Sequence, residues 1–225
     1  MTGPDRESDA NRLAGVALSA GDPTGWFEQL YAQARDGAAV VPWERAGPQR
    51  LLVRWAEAGH PHGAGRSALV VGCGLGADAE FIAGLGYATT AFDVSQSAVR
   101  TARERFPASG VHYCTADLLD APPAWTGAYS LVVESLTVQS LPRGLRQPAT
   151  EAVRRFVAPG GTLVVVASAL ATGDSAEPGP PWPLTRGEVD AFAGGELGVV
   201  AIEPVPRDPP ATGHVWLAVL RRQPA

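Results

Sequence analysis

The feature that most constrains this chain is a change of rhythm at Ala68. From there on, short apolar runs at residues 68–72, 88–93, 111–115, 129–134 and 162–168 read as strands. Segments of helical periodicity at 76–85, 95–106, 145–157 and 184–192 separate most of them. Strands joined through helices have room for crossovers and pair in parallel, with helices on both faces of one sheet. The last two runs, 199–205 and 214–220, are joined only by the Pro-rich loop 206–213. No helix fits there, so they pair as an antiparallel hairpin. The expected class is α/β, a doubly wound sheet ending in that hairpin.

Ahead of this core the pattern is helical. Trp26, Phe27, Leu30, Tyr31 and Ala34 recur at helical spacing behind Thr24, and Gly37 stops the run. A second helix is expected to start at Pro48, with Leu51, Leu52 and Trp55 on one face, and residues 59–65 read as a loop. Residues 1–22 are polar and weakly periodic, and are expected to be a flexible arm. The chain thus divides into an arm (1–22) and one domain (23–225), the latter built from a helical cap (23–65) and a core (66–225). Its 225 residues are 45% hydrophobic, enough to bury a sizeable core.

Composition excludes several chemistries. All 18 basic residues are arginine, and without lysine neither a Walker-A phosphate loop nor a Schiff-base amine is available. The formal charge of −5 and the scattered arginines offer no field for a polyanion, so no nucleic-acid partner is expected. The first thirty residues lack a basic stretch followed by an apolar run, and no window is long enough to cross a bilayer. The expectation is a cytoplasmic protein without a membrane partner. Cys73, Cys114 and the four histidines lack disulfide-framework or metal-ligand spacing, so no metal is expected.

The chemistry concentrates where the first strand turns into a helix, at Val71-Gly72-Cys73-Gly74-Leu75-Gly76-Ala77-Asp78. Glycines there permit positive φ and close backbone approach, and the helix start offers free N–H groups. Asp93 closes the following strand, where a carboxylate accepts hydrogen bonds from both hydroxyls of a ribose. Asp117, just past the third strand, is placed to accept an adenine amino group or to make an ordinary Asx turn. The glycine spacing alone fits both an S-adenosylmethionine loop and a dinucleotide fingerprint.

Glu134-Ser135 at the end of the fourth strand, the turn Ala158-Pro159-Gly160-Gly161 and the terminal hairpin complete the pattern. Together these resemble the class I S-adenosylmethionine-dependent methyltransferases over residues 68–220. The resemblance implies a single Rossmann-like seven-stranded sheet with its last strand antiparallel. Within that class, Trp26-Phe27-Glu28-Gln29-Leu30-Tyr31, Val41-Pro42-Trp43, Asp78-Ala79 and Gly179-Pro180-Pro181-Trp182 are similar to the thiopurine and halide/thiol methyltransferases. Glu134-Ser135-Leu136-Thr137 departs from that group, which commonly has an aspartate and aromatics there.

The resemblance implies S-adenosyl-L-methionine as methyl donor and a small-molecule acceptor with an S, halide, O or N nucleophile. Trp43, Gly72, Cys73, Gly74, Gly76, Asp78, Asp93, Val94, Asp117, Leu118 and Glu134 are the expected donor contacts. Trp26 and Trp182 are the expected acceptor contacts, although Trp26 at helical spacing also suits a core. Trp43, in a Pro-flanked turn, presents a face to a sulfonium cation. A soft nucleophile needs only alignment, whereas one that must lose a proton needs a base, and Glu134 is the residue placed for it. The alternatives are a donor-binding protein without turnover and a nicotinamide-dependent oxidoreductase.

Overall fold

Alternation within each strand builds two apolar layers around one sheet. In the first strand Ala68 and Val70 face one side while Leu69 and Val71 face the other. The fifth strand repeats this with Val164 and Val166 against Leu163, Val165 and Ala167. The computed structural model describes residues 8–225 apart from 60, 171–178 and 209–212.

In chain order the elements are α1 (Ser8–Ser19), α2 (Gly25–Arg35), α3 (Arg50–Gly59), β1 (Ser67–Val71), α4 (Ala77–Gly84), β2 (Ala88–Asp93) and α5 (Gln96–Arg105). There follow β3 (His112–Thr115), β4 (Tyr129–Ser135), α6 (Arg143–Phe156), β5 (Val157–Ser168), α7 (Arg186–Asp190), β6 (Leu197–Pro206) and β7 (His214–Arg222). They form a seven-stranded sheet of order β3-β2-β1-β4-β5-β7-β6, parallel through β5 and antiparallel where β7 pairs with β5 and β6. Reversal of the order at β1, between β2 and β4, opens a crevice at the carboxyl ends of those strands, where open α/β sheets take ligands.

One layer packs α1, α2 and α6 on the sheet through Leu13, Trp26, Leu30, Val153 and Phe156. The other packs α3, α4 and α5 through Leu52, Ile82, Val99 and Ala102. Each fully buried large apolar side chain contributes about 1.5–3 kcal/mol. The turn at Pro159-Gly160 is a bulge inside β5: Tyr129 pairs with Val157, and the register resumes at Leu131 with Thr162.

The expectation of an N-terminal arm is corrected for residues 8–19. They form α1, whose Ala10, Leu13, Ala14 and Ala17 are buried on the core. Three of those four are alanines, which give a periodic stripe with little hydrophobic contrast. Residues 1–7 lie outside the described residues.

Candidate active site

β1 ends at Val71 because the chain must turn into α4 within a few residues, and three left-handed residues achieve it: Gly72 (φ 59°), Gly74 (φ 50°) and Gly76 (φ 89°). At Gly72 a Cβ would collide with the Thr137 side chain, whose hydroxyl donates to the Val71 carbonyl at 3.1 Å. At Gly76 a Cβ would lie 2.5 Å from Tyr113 Oη. Gly76 is therefore a packing residue at the start of α4 and does not line the cleft, contrary to expectation. The loop is held to β2 by Asp93, whose Oδ2 accepts the Gly74 N–H at 2.9 Å and whose Oδ1 accepts the Ser95 N–H at 3.0 Å.

Above the loop lies a cleft with about 1060 Å³ of space between atoms, open solvent at its mouth included. Gly72, Cys73, Gly74, Asp78, Asp93, Val94, Asp117, Leu118 and Trp43 all line it. Its floor is thus the loop and the ends of β1 and β2, and one wall is the turn after β3. There Asp117 accepts the Leu119 N–H at 2.8 Å and still faces the cleft. The roof comes from α2 and the Pro-Trp turn, through Thr24, Phe27, Tyr31, Val41 and Trp43.

The roof is fastened at several points. Trp43 Nε1 donates to Tyr31 Oη at 2.8 Å. Asp78, on the first turn of α4, accepts the Gln49 N–H at 2.6 Å and lies 3.6 Å from the Arg45 guanidinium. Glu28 of α2 accepts from Ser95 Oγ, Ser97 Oγ and the Ser97 N–H at 2.7–3.0 Å, so it caps α5 from a neighbouring helix. Burial raises the Glu28 pKa, but those bonds outweigh it and leave the group below its ordinary value. Arg35 adds an ion pair to Glu104 at 2.7 Å.

Electrostatics distinguish the carboxylates. Asp93 is pushed up to about 6 by burial, offset in part by the Ser95 and Gly74 N–H groups. Glu134 is pushed up to about 7 by burial, offset in part by the Val138 and Thr137 N–H groups. Tyr31 is raised well above its ordinary value by burial and by the charge of Asp93, so it holds its proton.

Three sequence-derived assignments are corrected. Glu134 is fully buried and absent from the cleft lining; its Oε1 accepts the Thr137 and Val138 N–H groups at 2.7 and 2.9 Å and caps the turn after β4. Its Oε2 is buried with no hydrogen-bond partner among the described residues. Trp26 is fully buried behind the roof, stacked on Phe27 with centroids 3.9 Å apart and edge-on to Trp43. The next residue, Phe27, is the one that faces the cleft. Trp182 also lies off the cleft lining: its N–H donates to the Gln139 carbonyl, and its own carbonyl accepts from Arg146.

Other cleft residues escaped the sequence. Tyr31 and Phe27 occupy one face of α2 at i, i+4, a spacing that could have shown them. Leu136 has φ 64°, uncommon for a residue with a side chain, and faces the cleft with Ser140 and Leu141. Nothing in the local sequence marks that conformation.

Residues 68–161 match the family model described as a methyltransferase domain. That stretch, from β1 to the turn inside β5, is similar to a methyltransferase domain. Among curated proteins, it is similar to the 2-heptyl-1-hydroxyquinolin-4(1H)-one methyltransferase of Mycobacteroides abscessus, 28% identical over 131 residues. The match spans 57% of this chain and only 56% of that relative's length. Among solved structures, a protein studied for the conversion of a disulfide bond into a thioacetal group during echinomycin biosynthesis is 25% identical. It covers 80% of this chain and 84% of its own, with TM-score 0.64. The Burkholderia thailandensis 1,6-didemethyltoxoflavin-N1-methyltransferase, solved with 1,6-didemethyltoxoflavin and S-adenosylhomocysteine, is 15% identical with TM-score 0.65, covering 88% of this chain and 85% of its own. That likeness is one of methyltransferase fold. Among the described residues no helix is long and apolar enough to cross a membrane.

Proposed function

We propose that the protein transfers a methyl group from S-adenosylmethionine to a small, largely apolar acceptor bound under the α2 roof. The observation that carries this reading is the convergence of the left-handed glycine loop at Gly72 and Gly74, the carboxylates of Asp93 and Asp117 and an aromatic roof on one cleft. The donor set suits the cosubstrate: Asp93 and Asp117 keep acceptor lone pairs for ribose hydroxyls and an adenine amino group. Val94 and Leu118 supply apolar contacts to a purine, and the Trp43 ring suits a sulfonium.

When bound, the cosubstrate supplies an electrophilic methyl on a sulfonium, which an acceptor lone pair takes by in-line attack as the carbon–sulfur pair returns to sulfur. This chain's own residues then have to orient the acceptor and exclude water. Phe27, Val41, Leu136 and Leu141 form the apolar surface for it, with the Ser140 hydroxyl turned back to the Leu136 carbonyl at 2.8 Å. Such walls suit an aromatic or heteroaromatic ring whose nucleophile is already free of its proton. The hydroxyquinolone named for the Mycobacteroides relative is a heteroaromatic ring.

The narrower placement beside the thiopurine and halide/thiol methyltransferases is supported by the Trp26–Tyr31 helix and the Pro42-Trp43 turn, which together form the roof. Incubation with labelled donor and a panel of thiols, halides, N-hydroxy heterocycles, phenols and amines tests the reading. Labelled product from ring-bearing acceptors is expected. Donor binding without product from any class would make the protein a non-catalytic binder.

A further inference from the structure

The wall of the cleft beyond β4 is built on a segment too short to hold itself. Residues 138–140 form one 3₁₀ turn, and Leu136, Ser140 and Leu141 around it line the cleft. Single turns of this kind have poor hydrogen-bond geometry and little stability of their own. The anchors lie behind the turn, away from the cleft. Gln139 is buried; its Oε1 accepts the Ser168 N–H at 2.6 Å and its carbonyl accepts the Trp182 N–H at 2.9 Å. The Leu141 carbonyl accepts from Arg146 Nε at 3.3 Å.

Arg146 is the unusual member of this group. It sits at the start of α6, where the helix dipole disfavours a cation, so the helix itself does not gain from it. Its side chain is only 5% exposed, and an arginine that deep needs partners for its donors. It has one in each of three segments: the Leu141 carbonyl in the turn, the Trp182 carbonyl at 2.9 Å in the stretch before α7, and Glu188 of α7. Glu188 also accepts the Thr185 N–H at 2.8 Å, closing the cap of α7. A planar guanidinium fixes the spacing of the groups it joins, which a flexible ammonium does not. Arg146, Trp182 and Glu188 all lie off the cleft lining. We propose that Arg146 is a positioning residue for the methyl acceptor, holding Leu141 and its turn against the Trp182 stretch and α7 and so setting which ring shapes align with the methyl group. This rests on the reading of the cleft as a methyltransferase site. Trp182 then serves the acceptor through its backbone, not its ring.

Two variants test it. Arg146→Lys keeps a charge beside Glu188 but loses the fork. Glu188→Ala leaves the fork and removes one of its holders, so a folding failure of the first variant does not end the test. The full chain is assayed with labelled S-adenosylmethionine and two acceptors, one-ring thiophenol and two-ring 2-heptyl-1-hydroxyquinolin-4(1H)-one, or the one- and two-ring acceptors that the wider panel yields. In both variants the ratio of kcat/KM between the two acceptors is expected to shift about tenfold, the scale of a reshaped apolar pocket, mostly through KM. S-adenosylhomocysteine affinity by calorimetry should stay within about twofold, because the altered groups share no partner with the glycine loop or Asp93. A role confined to stability leaves the ratio where it was. Equal loss for both acceptors, parallel loss of S-adenosylhomocysteine binding, or no change at all overturns the proposal and leaves the methyltransferase reading standing. Absence of product from the unaltered chain with every acceptor overturns that reading, and the proposal with it.

Discussion

Replacing Glu134 by glutamine should flatten the pH dependence of stability and spare turnover. The native carboxyl is raised from 4.5 to about 7 because burial disfavours its charged form. Between those values the folded chain keeps a proton that the unfolded chain has released, so stability falls as pH rises through that window. Each pKa unit corresponds to about 1.4 kcal/mol, so this one group removes about 3 kcal/mol by pH 8. Most of that loss falls between pH 5 and pH 7. Glutamine presents the same oxygen to the Thr137 and Val138 N–H groups and has no charge to bury. Urea unfolding at pH 5 and pH 8 should show a decline in stability about 2–3 kcal/mol smaller in the variant. Contributions from Asp93 and the other carboxyls are common to both proteins and cancel in this difference. Equal declines would refute the buried-charge argument. Turnover should stay close to that of the unaltered protein, because Glu134 does not reach the cleft; a loss on the hundredfold scale of general-base removal would refute its placement.

Three further outcomes follow from the same geometry. Gly72→Ala should be destabilising by about 1–3 kcal/mol from the positive φ alone, with additional loss from its collision with Thr137, and thermal unfolding with and without S-adenosylhomocysteine measures both. Glu28→Ala strips three hydrogen bonds from the α5 start and should speed amide exchange in α2 well before it affects the sheet, as hydrogen-exchange mass spectrometry would show. If ribose hydroxyls bind the ionised Asp93, S-adenosylhomocysteine affinity should fall about tenfold per unit as pH drops below about 6, whereas a pH-independent affinity between 5 and 7 would contradict that contact.

The sheet was legible in the sequence because strong apolar runs have a period of two and glycines mark their ends. Observed strands begin and end within a few residues of the expected ones, the exception being β5, which starts at Val157 because the Pro159-Gly160 turn is a bulge. The cleft lining was legible wherever backbone geometry demands a residue type, as at Gly72, Gly74 and Asp93. It was illegible where rotation about an element decides. Glu134 stands at the expected strand end but shares its parity with Val132, on the face packed by α1, α2 and α6. Along α2, Trp26 and Leu30 point into the core, while Phe27 and Tyr31, one residue on, face the cleft. A single step along the helix separates a packing tryptophan from a ligand-facing phenylalanine.

The central claim is that this cleft holds a methyl donor through Asp93 and the glycine loop. Calorimetric titration of the unaltered chain with S-adenosylhomocysteine, and separately with NADH, tests it most directly. The expected result is one S-adenosylhomocysteine bound per chain in the micromolar range, a collapse of that affinity in Asp93→Ala, and no saturable heat from NADH. Binding of NADH in its place, or S-adenosylhomocysteine binding that Asp93→Ala leaves intact, would contradict the account.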